Sequence, residues 1–144
     1  MRDKLYLMEG SLEQKNMDTK INLKEEIIAD CAKDTTNEVC GFIFEDDNQL
    51  KMRSVKNRSL NPDKEFYIPS KDFLFFKKKY NLVGIYHSHT RGTEKPSEYD
   101  EKTSDLICYP FIIYSLKKDK FHVHVPEVSD ADPKHLEELK EVLK

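Results

Sequence analysis

His87 and His89 stand two residues apart, and Ser97 and Asp100 follow them across a turn-rich loop, so groups able to bind a metal or move a proton crowd into one short stretch. Imidazole nitrogens and a carboxylate oxygen are the ligands zinc takes. Two histidines and one aspartate make a three-ligand set, which for tetrahedral zinc leaves a fourth position to water, the arrangement of a catalytic site and not of a closed structural one. A carboxylate at the mouth of an apolar strand is unusual, and Glu38 stands so before the run Val39-Cys40-Gly41-Phe42-Ile43-Phe44. A glutamate placed there can take a proton from water and pass it to a leaving amine.

Plainer readings compete at each position. Ser97-x-x-Asp100 taken alone is first of all a helix cap. A histidine at a strand end is usually a satisfied polar group, and Glu38 by itself is a strand-edge charge. The conjunction is more telling. His-x-His, seven residues, Ser, two residues, Asp resembles the metal-binding motif of the JAMM/MPN-plus (JAB) zinc metallopeptidases at every fixed position, and the surroundings of Glu38 resemble that family's glutamate segment. The resemblance spans about residues 21 to 126. It implies an α/β domain with a mixed β-sheet flanked by helices, the MPN/JAB fold, which is cytidine-deaminase-like. It also implies one Zn²⁺ held by His87, His89 and Asp100, with Glu38 as general base and Ser97 donating a hydrogen bond to the oxyanion. The implied activity is zinc-dependent hydrolysis of a peptide or isopeptide bond; a non-catalytic docking or assembly module on the same fold is the alternative. Thr90 stands where many relatives carry proline, which removes no ligand.

A second, looser layer lies in residues 57 to 73. There, Asn57, a loop containing Pro62, the aromatic stretch around Phe66-Tyr67 and a helix opened by Pro69-Ser70 resemble phage tail-assembly proteins and small prokaryotic members of the family. Ubiquitin-cleaving members carry an insertion after the metal aspartate, whereas here only Glu101 to Tyr109 precede the next apolar run. The resemblance therefore points to a peptide or protein-tail substrate and to a cytoplasmic protein, or one associated with a phage or virion. A zinc nucleobase deaminase is excluded, because its Pro-Cys-x-x-Cys segment is absent.

Composition agrees with this. In 144 residues, 35% are charged with both signs mixed and a formal net charge of −3, a balance that asks for neither nucleic acid nor an anionic membrane. No apolar run approaches a membrane span, and the charged start with Asp3, Lys4 and Glu9 lacks a signal peptide's apolar core. Cys31, Cys40 and Cys108 are too scattered for a disulfide framework, so free thiols are expected, and Cys40 reads as a small core residue and not as a nucleophile. The sequence leaves the oligomeric state open.

The elements that must position the site follow from periodicity. Residues 1 to 20 read as an extension, with Lys4 to Met8 as a short strand, and residues 21 to 144 as one domain. Asn22 caps a helix over 23–33 with Leu23, Ile27, Ile28 and Cys31 inward. Val39 to Phe44 and Leu50 to Asn57 form a hairpin around a turn at Glu45 to Gln49. A short aromatic strand at Phe66 leads to a helix capped by Ser70 and running to Tyr80, with Phe73, Leu74 and Phe76 inward and Lys77 to Lys79 at its dipole-matched end. Asn81 to Tyr86 is a buried strand, so His87 and His89 at its end share a face. Pro110 to Leu116 and Phe121 to Val125 are further strands. The second His-x-His pair, His122 and His124, is read as solvent-facing. Asp132-Pro133 opens a last helix burying Leu136, Leu139 and Leu143, with His135 exposed.

Overall fold

A computed structural model describes residues 22–144; the readings placed on residues 1 to 21 lie outside the described residues. Among the described residues nine elements follow one another: α1 (Leu23–Cys31), β1 (Cys40–Asp46), β2 (Gln49–Val55), α2 (Ser70–Lys79), β3 (Asn81–His89), α3 (Glu98–Ile107), β4 (Phe111–Ser115), β5 (Lys120–His124) and α4 (Pro133–Val142). The strands form one sheet in the order β2-β1-β3-β4-β5. All neighbours are antiparallel except β3 and β4, which run parallel. This is the mixed sheet flanked by helices that the sequence implies.

Strand alternation gives the sheet two apolar faces. On one, Ile43, Val83, Tyr86, Ile112 and Tyr114 pack with Leu23, Ile27 and Cys31 of α1 and Leu139 of α4. On the other, Cys40, Phe42, Phe44, Leu82, Ile85 and Phe111 pack with Phe76 of α2 and with Phe66. Alternation along β3 is broken once. Phe44 pairs with Leu82 but Ile43 with Gly84, so Val83 is an extra residue and the strand carries a β-bulge. The bulge resets the phase, placing Ile85, His87 and His89 on the α2/α3 face and Tyr86 on the other. Tyr86 lies across Gly41, where a Cβ would collide with its ring and with the Arg53 carbonyl. Its hydroxyl donates to buried Asp30 at 2.6 Å.

Several local expectations are corrected. The hairpin turn is two residues, not five: Asp47 and Asn48 both take positive φ (54° and 61°), the backbone of a tight hairpin, so the strands run on to Asp46 and from Gln49. Residues 65–69 form no strand and have no partner in the sheet. Pro69, not Ser70, is the N-cap of α2, and no side chain caps it. Leu74 is 56% exposed because only Phe76 and, in part, Phe73 lie on the inward arc of that helix. His122, His124 and His135 are half-buried and not solvent-facing: the first two pair with Ile113 and Phe111 of β4, and His135 lies near Glu45.

Candidate metal centre

β3 ends in the two histidines and α3 begins just beyond, so the loop between them folds the start of a helix back over the carboxyl end of its own strand. In open sheets this is where ligands bind. The loop is pinned: Ser115 Oγ donates to the Gly92 carbonyl at 2.7 Å, and Leu116 N–H to the His89 carbonyl at 3.1 Å. Ser97 then caps α3 in a full capping box. Its Oγ accepts from Asp100 N–H at 3.0 Å, and its own N–H donates to Asp100 Oδ2 at 2.9 Å. The capping box and the candidate ligand set thus share Asp100, because the box holds that carboxylate turned back toward the strand.

Asp100 meets both histidines. Its Oδ1 lies 3.1 Å from His87 Nε2 and its Oδ2 3.0 Å from His89 Nε2. Ligand atoms of His87, His89 and Asp100 all fall within 4.8 Å of one another. The chemistry of these atoms fits a cation. His89 Nδ1 is 2.7 Å from the Thr93 carbonyl, which can only accept, so Nδ1 carries the hydrogen and the Nε2 of a neutral ring is a lone pair. That lone pair faces a carboxylate oxygen at 3.0 Å, acceptor against acceptor, which requires a positive charge between or upon them. His87 is wholly buried, and despite the close approach of Asp100 neither of its nitrogens makes a directed hydrogen bond. Buried polar atoms are rarely left so. A metal among the three residues answers both anomalies.

The electrostatics follow from burial and these contacts. Burial holds the His87 pKa low against the pull of Asp100. Burial also works against charged His89, but Asp100, the Thr93 carbonyl and Glu38 outweigh it and raise that ring. Burial works to raise Asp100, yet the two imidazoles and the Ser97 N–H hold it well below the usual carboxylate range. Glu38 precedes β1 and is buried; continuing the register in which Cys40 faces His87 sets it opposite His89. Burial, helped by Asp100, Glu65 and Asp63 and opposed by His89, raises its carboxyl from 4.5 to about 8. Burial likewise pushes the Cys40 thiol to about 12, which leaves it inert as a nucleophile at neutral pH.

All five residues singled out in the sequence therefore lie at this end of β3. Three supports were not foreseen. Ser88 Oγ accepts from Val39 N–H at 2.9 Å while Ser88 N–H donates to the Val39 carbonyl at 2.9 Å, tying the Glu38 segment to the histidine strand. Phe66 stacks on His87 with ring centroids 4.4 Å apart. The Thr93 carbonyl sets the His89 tautomer, and being backbone it leaves no trace in residue type. Ser88 did have a visible signal, as a small hydroxyl residue between two histidines. Beside the centre, a cleft of about 410 Å³ opens between α2 and α3, lined by Phe66, Phe73, Ile85, Tyr99, Leu106 and Phe111 among others.

The model of a family described as prokaryotic homologs of the JAB domain matches residues 21–127. The chain belongs to that family. As a JAB-domain protein it is also similar to the tail tip assembly protein K of Escherichia phage N15, with 28% identity over 89 residues, 62% of this chain and 37% of the phage protein. The matched stretch is thus little more than a third of that relative's length. Among solved structures, the solution structure of protein DSY2949 from Desulfitobacterium hafniense is similar with a TM-score of 0.53, covering 78% of this chain and 92% of that one at 19% identity. At that identity the likeness speaks for the fold alone. Among the described residues no helix is long and apolar enough to cross a membrane.

Proposed function

We propose that this JAB domain hydrolyses a peptide or isopeptide bond in a peptide or protein tail, with His87, His89 and Asp100 holding one Zn²⁺. The observation that carries the reading is the unpaired donor set, a buried imidazole with no directed hydrogen bond beside a second imidazole whose lone pair faces a carboxylate. Bound by these three residues, zinc would supply Lewis acidity, acidifying water and polarising a carbonyl. Burial raises the Glu38 carboxyl, and a cation held by the three ligands would draw it down again toward neutrality, which suits a base. Its carboxylate takes a proton from the attacking water; as the carbonyl carbon gains oxygen and the carbon–nitrogen bond breaks, that proton passes to the leaving nitrogen. Ser97 Oγ accepts the Asp100 N–H and keeps its own hydroxyl proton to donate to the oxyanion. Phe66 and Phe111 shield His87 from water on the cleft side.

The apolar cleft beside the centre supports a polypeptide substrate with a large apolar side chain next to the cleaved bond. α3 reaches β4 across only Cys108, Tyr109 and Pro110, which leaves no insertion to gather a ubiquitin-like tail and supports a smaller substrate. One observation favours a second reading, an assembly or docking module: the similarity to a tail tip assembly protein.

Metal analysis and a panel of peptide and isopeptide conjugates decide between them. The protein is expected to carry about one zinc per chain, lost in His89→Ala and Asp100→Ala but kept in His122→Ala. Glu38→Gln should keep zinc and fold while turnover falls by a factor on the order of 10². No zinc after reconstitution, or equal turnover by Glu38→Gln, overturns the hydrolase. If the wild type cleaves nothing and Glu38→Gln fully supports assembly, the docking reading stands.

A further inference from the structure

We propose that Asn57 is a positioning residue whose amide sets both Glu38 and Phe66 against the metal centre; the catalytic half of this rests on the reading of Glu38 as the proton carrier. Asn57 lies two residues beyond the end of β2, where the ladder has stopped and backbone groups need other partners. Its Nδ2 donates to the Glu38 carbonyl at 3.0 Å and to the Glu65 carbonyl at 3.0 Å. Its Oδ1 accepts from Ser59 N–H at 2.9 Å and from Tyr67 N–H at 3.0 Å. Two donors and two lone pairs are all a primary amide has, and every one is used on the backbone. Reversing the amide would set like groups together in four places, so its orientation is fixed by its neighbours.

These contacts converge on the centre from two sides. The Glu38 carbonyl is held by Asn57 while its N–H donates to the Pro62 carbonyl at 2.7 Å, so the stretch from 57 to 67 grips the residue at both backbone groups. Glu65 and Tyr67 flank Phe66, the ring that stacks on His87, and Tyr67 is fixed again by Arg58 N–H donating to its carbonyl at 2.9 Å. In a segment without strand pairing, one side chain thus sets the backbone under the base and the ring over the ligand. Aspartate has the same shape but no donor, serine is too short to span the partners, and glutamine is one methylene too long.

The test uses Asn57→Asp, which keeps both accepting contacts and loses both donating ones, with Asn57→Ser read the same way should the aspartate variant not fold. On the protein as purified, with and without added Zn²⁺, NMR should find the His87 ring protons losing their upfield stacking shift. Amide exchange protection at Glu38 and Tyr67, whose own N–H acceptors stay, should fall about fivefold to tenfold as the segment loosens without the contacts to the Glu38 and Glu65 carbonyls, with the β3–β4 ladder unchanged. Zinc stoichiometry should stay, because Asn57 touches none of the three ligands. On a cleaved conjugate, kcat should fall about tenfold or more with KM within about twofold, and Asn57→Asp added to Glu38→Gln should change the rate less than about twofold, since coupled residues are not additive. An unchanged His87 shift and unchanged protection overturn the proposal, as does an equal slowing of wild type and Glu38→Gln. If the wild type cleaves no conjugate, the hydrolase reading falls and the NMR result alone decides whether Asn57 sets this geometry.

Discussion

Asp100 shows how much one carboxylate can be asked to do: Oδ2 closes the capping box of α3 and faces His89, while Oδ1 faces His87. It and Glu38 are displaced in opposite directions, which gives a pH prediction for protein stripped of metal by a chelator. Asp100 is depressed, so its contribution to stability is present above the ordinary aspartate value of about 4 and is lost as pH falls below it. Glu38 is raised from 4.5 to about 8, so its contribution is present below 4.5 and is lost as pH climbs toward 8. The urea midpoint of the stripped wild type should therefore decline between pH 5 and pH 8 by an amount that Glu38→Gln removes. Parallel pH profiles for the two proteins would show that Glu38 is not buried at this cost.

At the scale of elements, the bulge at Val83 and the contact of Tyr86 with Gly41 and Asp30 keep the histidine strand in phase with the sheet. Tyr86→Phe removes the hydroxyl that pairs with Asp30, a carboxylate only 6% exposed. The loss of that partner should cost about 1–3 kcal/mol in denaturant unfolding, with zinc uptake unchanged, because Tyr86 points to the face away from the ligands. A cost within error of zero would mean Asp30 finds water instead. Here the sequence was readable in part. The spacing that put His87 and His89 on one face and Ser97 before a helix is local and held. Aromatic residues favour strands, yet Phe66 lies in a segment held by the Asn57 side chain.

For the molecule as a whole, α4 matters more than its place beyond the family match implies. That match ends at residue 127, yet Leu139 and Leu143 lie in one cluster with Leu23 and Ile27 of α1. Each buried leucine is worth about 1.5–3 kcal/mol, against a total stability of about 5–15 kcal/mol for a typical domain. Deleting residues 128–144 should therefore abolish the cooperative thermal transition followed by circular dichroism. A truncated protein melting within a few degrees of the full chain would place α4 outside the folding unit.

Resemblance to the JAB motif carried the family and the candidate ligands, and the sequence by itself determined the mixed α/β class and the strand and helix on which those ligands stand, because period-two alternation and a helix cap act over a few residues. It also determined that Cys40 is core, from the apolar run around it. Only the tertiary structure decided that the Ser97–Asp100 cap and the candidate ligand are one device, and that His87 is wholly buried under Phe66. It likewise decided that a backbone carbonyl fixes the His89 tautomer and that Asn57 braces Glu38. Those facts depend on contacts between stretches remote in sequence, or on backbone atoms that every residue carries, and neither leaves a pattern in the order of the side chains.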